Sequence, residues 1–173
     1  MPNIALIGFM GSGKTTVGKE LARRIGWKFV DCDRLIQEKE KCTIPEIFSK
    51  YGEKYFRQCE RAMLAEVASL EKIVLGTGGG LPTCEENWGI LRRDFLTVYL
   101  KVEFDTLYDR IAGDRSRPLL QKYSTQDQLK ELYLSRLCWY ERAHVIIDTT
   151  HKKADVIVGE IIKRARITDS NQR

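Results

Sequence analysis

Short, continuously apolar runs alternate along this chain with longer stretches whose apolar residues recur every three or four positions. The candidate strands are Asn3–Ile7, Lys28–Asp31, Lys72–Leu75, Phe95–Lys101 and Val145–Asp148, several of them continuously apolar and rich in Val and Ile. Runs without polar alternation fit strands buried on both faces of a parallel sheet. Helical periodicity fills the intervals near 14–26, 34–40, 44–51, 53–70, 84–92, 104–112, 125–142 and 153–166. Val17, Leu21, Ala22 and Ile25, for example, share one face of the first helix. Regular strand–helix alternation predicts an α/β sandwich with right-handed crossovers. The stretch 113–123 carries arginines but no period and reads as a mobile lid, placed at about 112–124. The polar residues 167–173 read as a tail, which leaves 1–166 as a single domain.

Composition changes this picture little. A chain of 173 residues with 43% hydrophobic and 31% charged residues suits one globular domain. The net charge of +5 is spread among interspersed acids and bases, without a basic run or basic–aromatic ladder. It therefore suits small anionic ligands, and no nucleic-acid partner is expected. Five scattered cysteines without a CxxC pair point to reduced thiols. With no signal peptide and no run near the ~20 apolar residues that span a bilayer, a cytoplasmic protein without membrane contact is expected.

The chemistry begins at Gly8-Phe9-Met10-Gly11-Ser12-Gly13-Lys14-Thr15, which matches G-x-x-x-x-G-K-[ST] between a strand and a helix. Such a loop wraps backbone N–H groups around phosphates, with Lys14 reaching the β- and γ-phosphates and the Thr15 hydroxyl on Mg²⁺. A nucleoside triphosphate is the ligand this predicts. No Asp ends the third strand, and no Asn-Lys-x-Asp guanine-reading motif occurs, so a GTPase is disfavoured.

An acidic pair, Asp31 and Asp33, ends the second strand instead. At i and i+2 of an extended chain both project to one side, into the crevice at the carboxyl ends of the strands. One could hold Mg²⁺ and the other accept the proton of an attacking hydroxyl, unless Asp33 merely caps the next helix. On the helix at 53–70, Arg57 and Glu60 fall within the apolar arc of Phe56, Met63, Leu64 and Val67. Arg136 lies likewise among Leu129, Leu132, Tyr133, Leu137 and Tyr140. Two inward arginines can clamp a carboxylate, although Arg57 could equally snorkel or pair with Glu60. Gly78-Gly79-Gly80 permits close backbone approach to a ligand or is a flexible turn. Arg110, Arg115 and Arg117 could neutralise a transferring phosphoryl group or belong to a solvated basic loop. Arg117, fixed by Pro118, is the best placed.

In combination these residues resemble the shikimate kinases, from about residue 3 to about 150. The resemblance rests on the phosphate loop continued by Thr16-Val17-Gly18, on Asp31-Cys32-Asp33, and on Ile47-Phe48 and Gly52-Glu53. It extends through Phe56-Arg57-Gln58-Cys59-Glu60, the three glycines, Arg117-Pro118-Leu119-Leu120, and Arg136 four residues before Tyr140. It implies a P-loop, nucleoside-monophosphate-kinase-like fold with a five-stranded parallel sheet in the order 2-3-1-4-5, with substrate-binding helices over about 33–60. It also implies transfer of the γ-phosphoryl of ATP to the 3-hydroxyl of shikimate, with Mg²⁺ as cofactor; a monomer is expected, although the sequence itself does not give the oligomeric state. Carried over residue by residue, Gly11, Ser12, Gly13, Lys14, Thr15 and Thr16 hold the nucleotide, with Arg110 on its adenine side. Thr15 and Asp31 attend the metal. Asp33 binds the accepting hydroxyl and is the candidate base. Arg57 and Arg136 hold the carboxylate beside Gly79 and Gly80, and Arg117 serves the transferring group. The chain departs from the family in lacking proline at 148–153 and in having Cys138 where proline is frequent. A gluconate-kinase-type enzyme and a non-catalytic ATP-binding domain remain the alternatives.

Overall fold

The computed structural model describes residues 2–112, 123 and 125–167. The proposed lid over 112–124, with Arg115 and Arg117, therefore falls almost wholly outside the described residues, as does the tail beyond Ile167.

Five parallel strands form one sheet in the order β2-β3-β1-β4-β5, the order the resemblance implies. They are β1 (Asn3–Ile7), β2 (Lys28–Asp31), β3 (Ile73–Gly76), β4 (Phe95–Lys101) and β5 (Val145–Asp148). The central β1 is buried along its whole length, and alternation along it feeds two cores. Ile4 and Leu6 face a layer made by α1 (Lys14–Ile25) and α7 (Ala154–Ala165). Ala5 and Ile7 face the other layer. That layer takes in α3 (Ile44–Ala68), α4 (Glu85–Asp94) and α6 (Gln126–Tyr140), with α2 (Cys32–Glu40) and α5 (Phe104–Ile111) packed against the same core.

Local chemistry sets the boundaries. Lys72 has φ 56°, so β3 starts at Ile73, one residue later than predicted, and Gly76 extends it through pairing with Leu6 and Asp31. Asn3 fixes this corner, donating to Leu70 O at 2.6 Å and accepting from Ile73 N at 3.2 Å. Thr43 and Glu46 form a reciprocal capping box at the start of α3. Gly52, at φ 80° and ψ 172°, breaks the helical path between the two helices predicted over 44–51 and 53–70. The residues described as α3 thus turn a corner there, which sets Arg57 and Glu60 on their own segment.

One expectation needs correction. β2 ends at Asp31 and α2 begins at Cys32, so Asp31 and Asp33 are not neighbours on an extended chain. Asp31 rather than Asp33 caps α2, its carboxylate accepting from Arg34 N at 3.2 Å. A capped turn so close to the strand end relieves unpaired amides that an extended continuation would leave exposed.

Candidate active site

The phosphate loop follows β1, and Gly13, at φ 89°, caps α1 in the left-handed region that glycine tolerates. Lys14 folds across the loop, its ammonium donating to Gly8 O at 2.8 Å and Phe9 O at 2.9 Å. Arg110, in the last turn of α5, donates to Gly11 O at 3.2 Å, so this arginine meets the rim of the loop. The Thr15 hydroxyl donates to Asp31 Oδ2 at 3.2 Å. These two hard oxygens suit Mg²⁺, which binds through few protein groups and completes its shell with phosphate and water. No group of three or more His, Cys, Asp or Glu that could cage a metal occurs among the described residues.

One cavity of about 770 Å³ joins the loop to the predicted acceptor residues. Lys14, Thr15 and Thr16 line it, as do Asp31, Asp33, Arg57, Arg136 and the three glycines 78–80. Gly11 and Gly13 also border it, whereas Ser12, between them in the loop, is buried and does not line the cavity. Arg117 lies outside the described residues.

The glycines let charges converge. A Cβ at Gly78 would meet Asp33 Oδ1 at 2.8 Å and Glu60 Oε1 at 3.0 Å, and one at Gly80 would meet Arg57 Nη1 at 2.5 Å. The two guanidinium groups differ in their state. Arg57 bonds Glu60 at 2.6 Å and Glu53 at 3.1 Å. Burial opposes its charge, but these two carboxylates outweigh that and strengthen its hold on the proton. Arg136 is 6% exposed, and its Nη1 meets no hydrogen-bonding partner among the described residues. Glu60 is 1% exposed, and burial pushes its carboxyl up to about 7. Asp33 adds to the rise, while Arg57 and Arg136 oppose it. A buried guanidinium whose Nη1 lacks a hydrogen-bonding partner, beside a carboxylate that can accept a proton, suits a small anion bearing a hydroxyl group.

Sequence reasoning treated Glu60 only as a partner of Arg57 and missed the cavity's apolar wall of Met10, Ile44, Pro45, Phe48 and Phe56. The capping box Thr43-x-x-Glu46 and the break at Gly52 were the available signals for how that wall is folded. After β5, Thr149 returns two hydrogen bonds to Lys101 O, and Glu103 N donates to the Thr150 hydroxyl. This loop is therefore ordered by threonines in place of the absent proline.

A family model described as shikimate kinase matches residues 10–166. A shikimate kinase of Sulfurihydrogenibium sp. is 40% identical over 166 residues, covering 96% of this chain and 99% of its own. One from Moorella thermoacetica is 43% identical over 159 residues, covering 92% and 91%. A solved shikimate kinase from Acinetobacter baumannii, in complex with shikimate, superposes with a TM-score of 0.92 at 38% identity, covering 96% of this chain and 93% of that one.

Proposed function

From a chain that belongs to the shikimate kinase family, we infer an enzyme that moves the γ-phosphoryl group of ATP onto the 3-hydroxyl of shikimate. The observation that carries this reading is the single cavity in which a phosphate loop, Asp33 and two guanidinium groups meet.

The Arg136 guanidinium, whose Nη1 lacks a hydrogen-bonding partner, takes the shikimate carboxylate together with Arg57, which Glu60 and Glu53 hold in place. Gly79 and Gly80 line that pocket, and the apolar wall covers the ring. Asp33 accepts a hydrogen bond from the attacking hydroxyl. As the new O–P bond forms, the bond from the γ-phosphorus to the bridging oxygen breaks, ADP leaves, and the hydroxyl proton passes to the Asp33 carboxylate. Phosphoryl transfer is loose and needs little help from a base, so Asp33 also serves by orienting the hydroxyl. Lys14 exchanges the Gly8 and Phe9 carbonyls for phosphate oxygens, with Gly11, Ser12, Gly13, Thr15 and Thr16 completing the cradle. Arg110 borders the nucleotide at Gly11, and Arg117 neutralises the transferring group from a lid over about 112–124. Thr15 and Asp31 would hold Mg²⁺, which would supply charge neutralisation for the phosphates.

The same reading makes residues 1–166 one kinase domain, with 167–173 as a tail, working as a cytoplasmic monomer on small molecules without nucleic acid or membrane. All five cysteines are free of disulfides, and among the described residues no helix is long and apolar enough to cross a membrane.

A coupled ADP-release assay with shikimate, gluconate and AMP as separate acceptors tests the function. ADP release is expected with shikimate alone. Release with gluconate and not shikimate would overturn the acceptor.

A further inference from the structure

Gln37 belongs to no motif, yet it lines the main cavity together with Asp33. The two lie four residues apart in α2, on one helical face, a spacing that sets Cβ atoms about 5–6 Å apart. One end of the Gln37 amide is already committed: Oε1 accepts from Ile44 N at 3.1 Å. A backbone N–H needs the carbonyl oxygen as its acceptor, so this bond fixes which end of the amide is which. It also completes the start of α3. The capping box satisfies Thr43 N and Glu46 N, Pro45 has no N–H, and Gln37 takes the amide of Ile44. Gln37 is thereby pinned to the first residue of the apolar wall, since Ile44 lines the cavity too. The other end, Nε2, keeps its N–H donors without a protein partner among the described residues. Asp31, Asp33 and Glu60 already line this cavity. A carboxylate at position 37 would serve Ile44 N equally well, but would add a further acid and offer the ligand acceptors alone. The amide gives the same anchor and turns uncharged donors toward the ligand.

We propose that Gln37 binds the acceptor directly, donating from Nε2 to a second ring hydroxyl of shikimate, and so helps to select a polyhydroxylated acid. The inference rests on the shikimate kinase reading and adds a contact to it. With the 3-hydroxyl on Asp33 and the carboxylate on the two arginines, the 4- and 5-hydroxyls of the ring remain to be recognised. Gln37, one helical turn beyond Asp33, is placed to meet one of them. The two side chains read opposite capacities of a hydroxyl: Asp33 takes a proton from one, and Gln37 gives a hydrogen bond to the oxygen of another. An acceptor that lacks the second hydroxyl leaves the Gln37 donors unpaired in the closed site.

The test compares kcat/KM for shikimate, 4-deoxyshikimate and 5-deoxyshikimate at saturating ATP, in the full-length protein and its Gln37→Met and Gln37→Glu variants. Met keeps the side-chain length and removes the donors. Glu keeps the acceptor for Ile44 N, so the start of α3 stays capped. Gln37→Met is expected to lower kcat/KM for shikimate about 3- to 10-fold, the worth of one hydrogen bond, with the KM for ATP within about 2-fold. With the analogue that lacks the contacted hydroxyl, Gln37→Met and the unmodified protein should agree within about 2-fold; with the other analogue the loss should persist. An unchanged kcat/KM for shikimate in Gln37→Met overturns the proposal. So does an equal loss with all three acids, which would confine Gln37 to holding the wall. Should Gln37→Met fail to fold, Gln37→Glu decides: repulsion of the substrate carboxylate acts on all three acids alike, so only the lost donor can separate shikimate from one analogue. No turnover of shikimate by the unmodified protein would instead sink the functional reading, and this inference with it.

Discussion

Replacing Glu60 by Gln tests the electrostatics of the cavity through stability alone. Glu60 is buried, and its carboxyl is pushed from an ordinary 4.5 up to about 7, burial outweighing the Arg57 pair. The folded protein therefore binds this proton more tightly than the unfolded chain does. Between these two values the folded state carries the extra proton, so stability is full below pH 4.5 and falls as pH rises toward 7. At ~1.4 kcal/mol per pH unit, the interval amounts to about 3 kcal/mol. Gln resembles the protonated acid and cannot ionise. Other titrating groups are common to both proteins and largely cancel in the comparison. The wild-type melting temperature, measured by circular dichroism without ligands from pH 4.5 to 8, should fall relative to Glu60→Gln. A domain of this size converts ~3 kcal/mol into about 6–12 °C. A difference constant to within about 1 °C would refute the reasoning. A wild type that gains on the variant as pH rises would show that Arg57 overrides burial and depresses Glu60.

Asp33→Asn should lower kcat about 10²- to 10⁴-fold while the KM for ATP moves little, and near-normal turnover would remove Asp33 from proton transfer. Arg57→Ala should raise the KM for shikimate about 10- to 100-fold through loss of charged hydrogen bonds. An unchanged KM with a lower melting temperature would leave Arg57 only its pairing with Glu60 and Glu53. Gly80→Ala places a methyl group 2.5 Å from Arg57 Nη1 and should raise the shikimate KM several-fold without affecting ATP; wild-type kinetics would mean that Arg57 yields freely. Arg136→Met should abolish shikimate binding yet stabilise the ligand-free protein by about 1–3 kcal/mol, because a buried charge lacking a full set of partners is removed. A fall in melting temperature would show that Arg136 is satisfied in the free enzyme.

Most of the sheet was legible because its strands are apolar without alternation, and four of the five strand ranges stand as read from the sequence. The third shifted because Lys72 adopts a left-handed conformation that side-chain identity does not announce. The break at Gly52 was also visible in the sequence, since glycine interrupts an otherwise continuous apolar period. The acidic pair was misread geometrically: strand periodicity put both aspartates on one extended edge, whereas a helix starts between them. Both nonetheless border the cavity, Asp31 from the cap and Asp33 from the first turn. What the sequence lacked was the partner of each charge. Arg57 and Arg136 look alike as inward-facing arginines, and only three-dimensional packing shows that two carboxylates hold the first while the second keeps an Nη1 without a hydrogen-bonding partner.

That difference bears on which acceptor the cavity suits. A neutral polyol could bond Asp33 but would leave the Arg136 Nη1 without a partner in a water-poor wall, a loss that binding elsewhere would have to offset. An acid without a suitably placed hydroxyl would satisfy Arg136 and give Asp33 no proton to accept. Sites built around buried polar groups discriminate strongly because the wrong ligand leaves those groups unpaired. Arg57, already held by Glu60 and Glu53, adds direction to the carboxylate grip at little ordering cost. The selectivity proposed for this enzyme thus follows from unequal satisfaction of two arginines, one held ready and the other completed only by the carboxylate of its substrate.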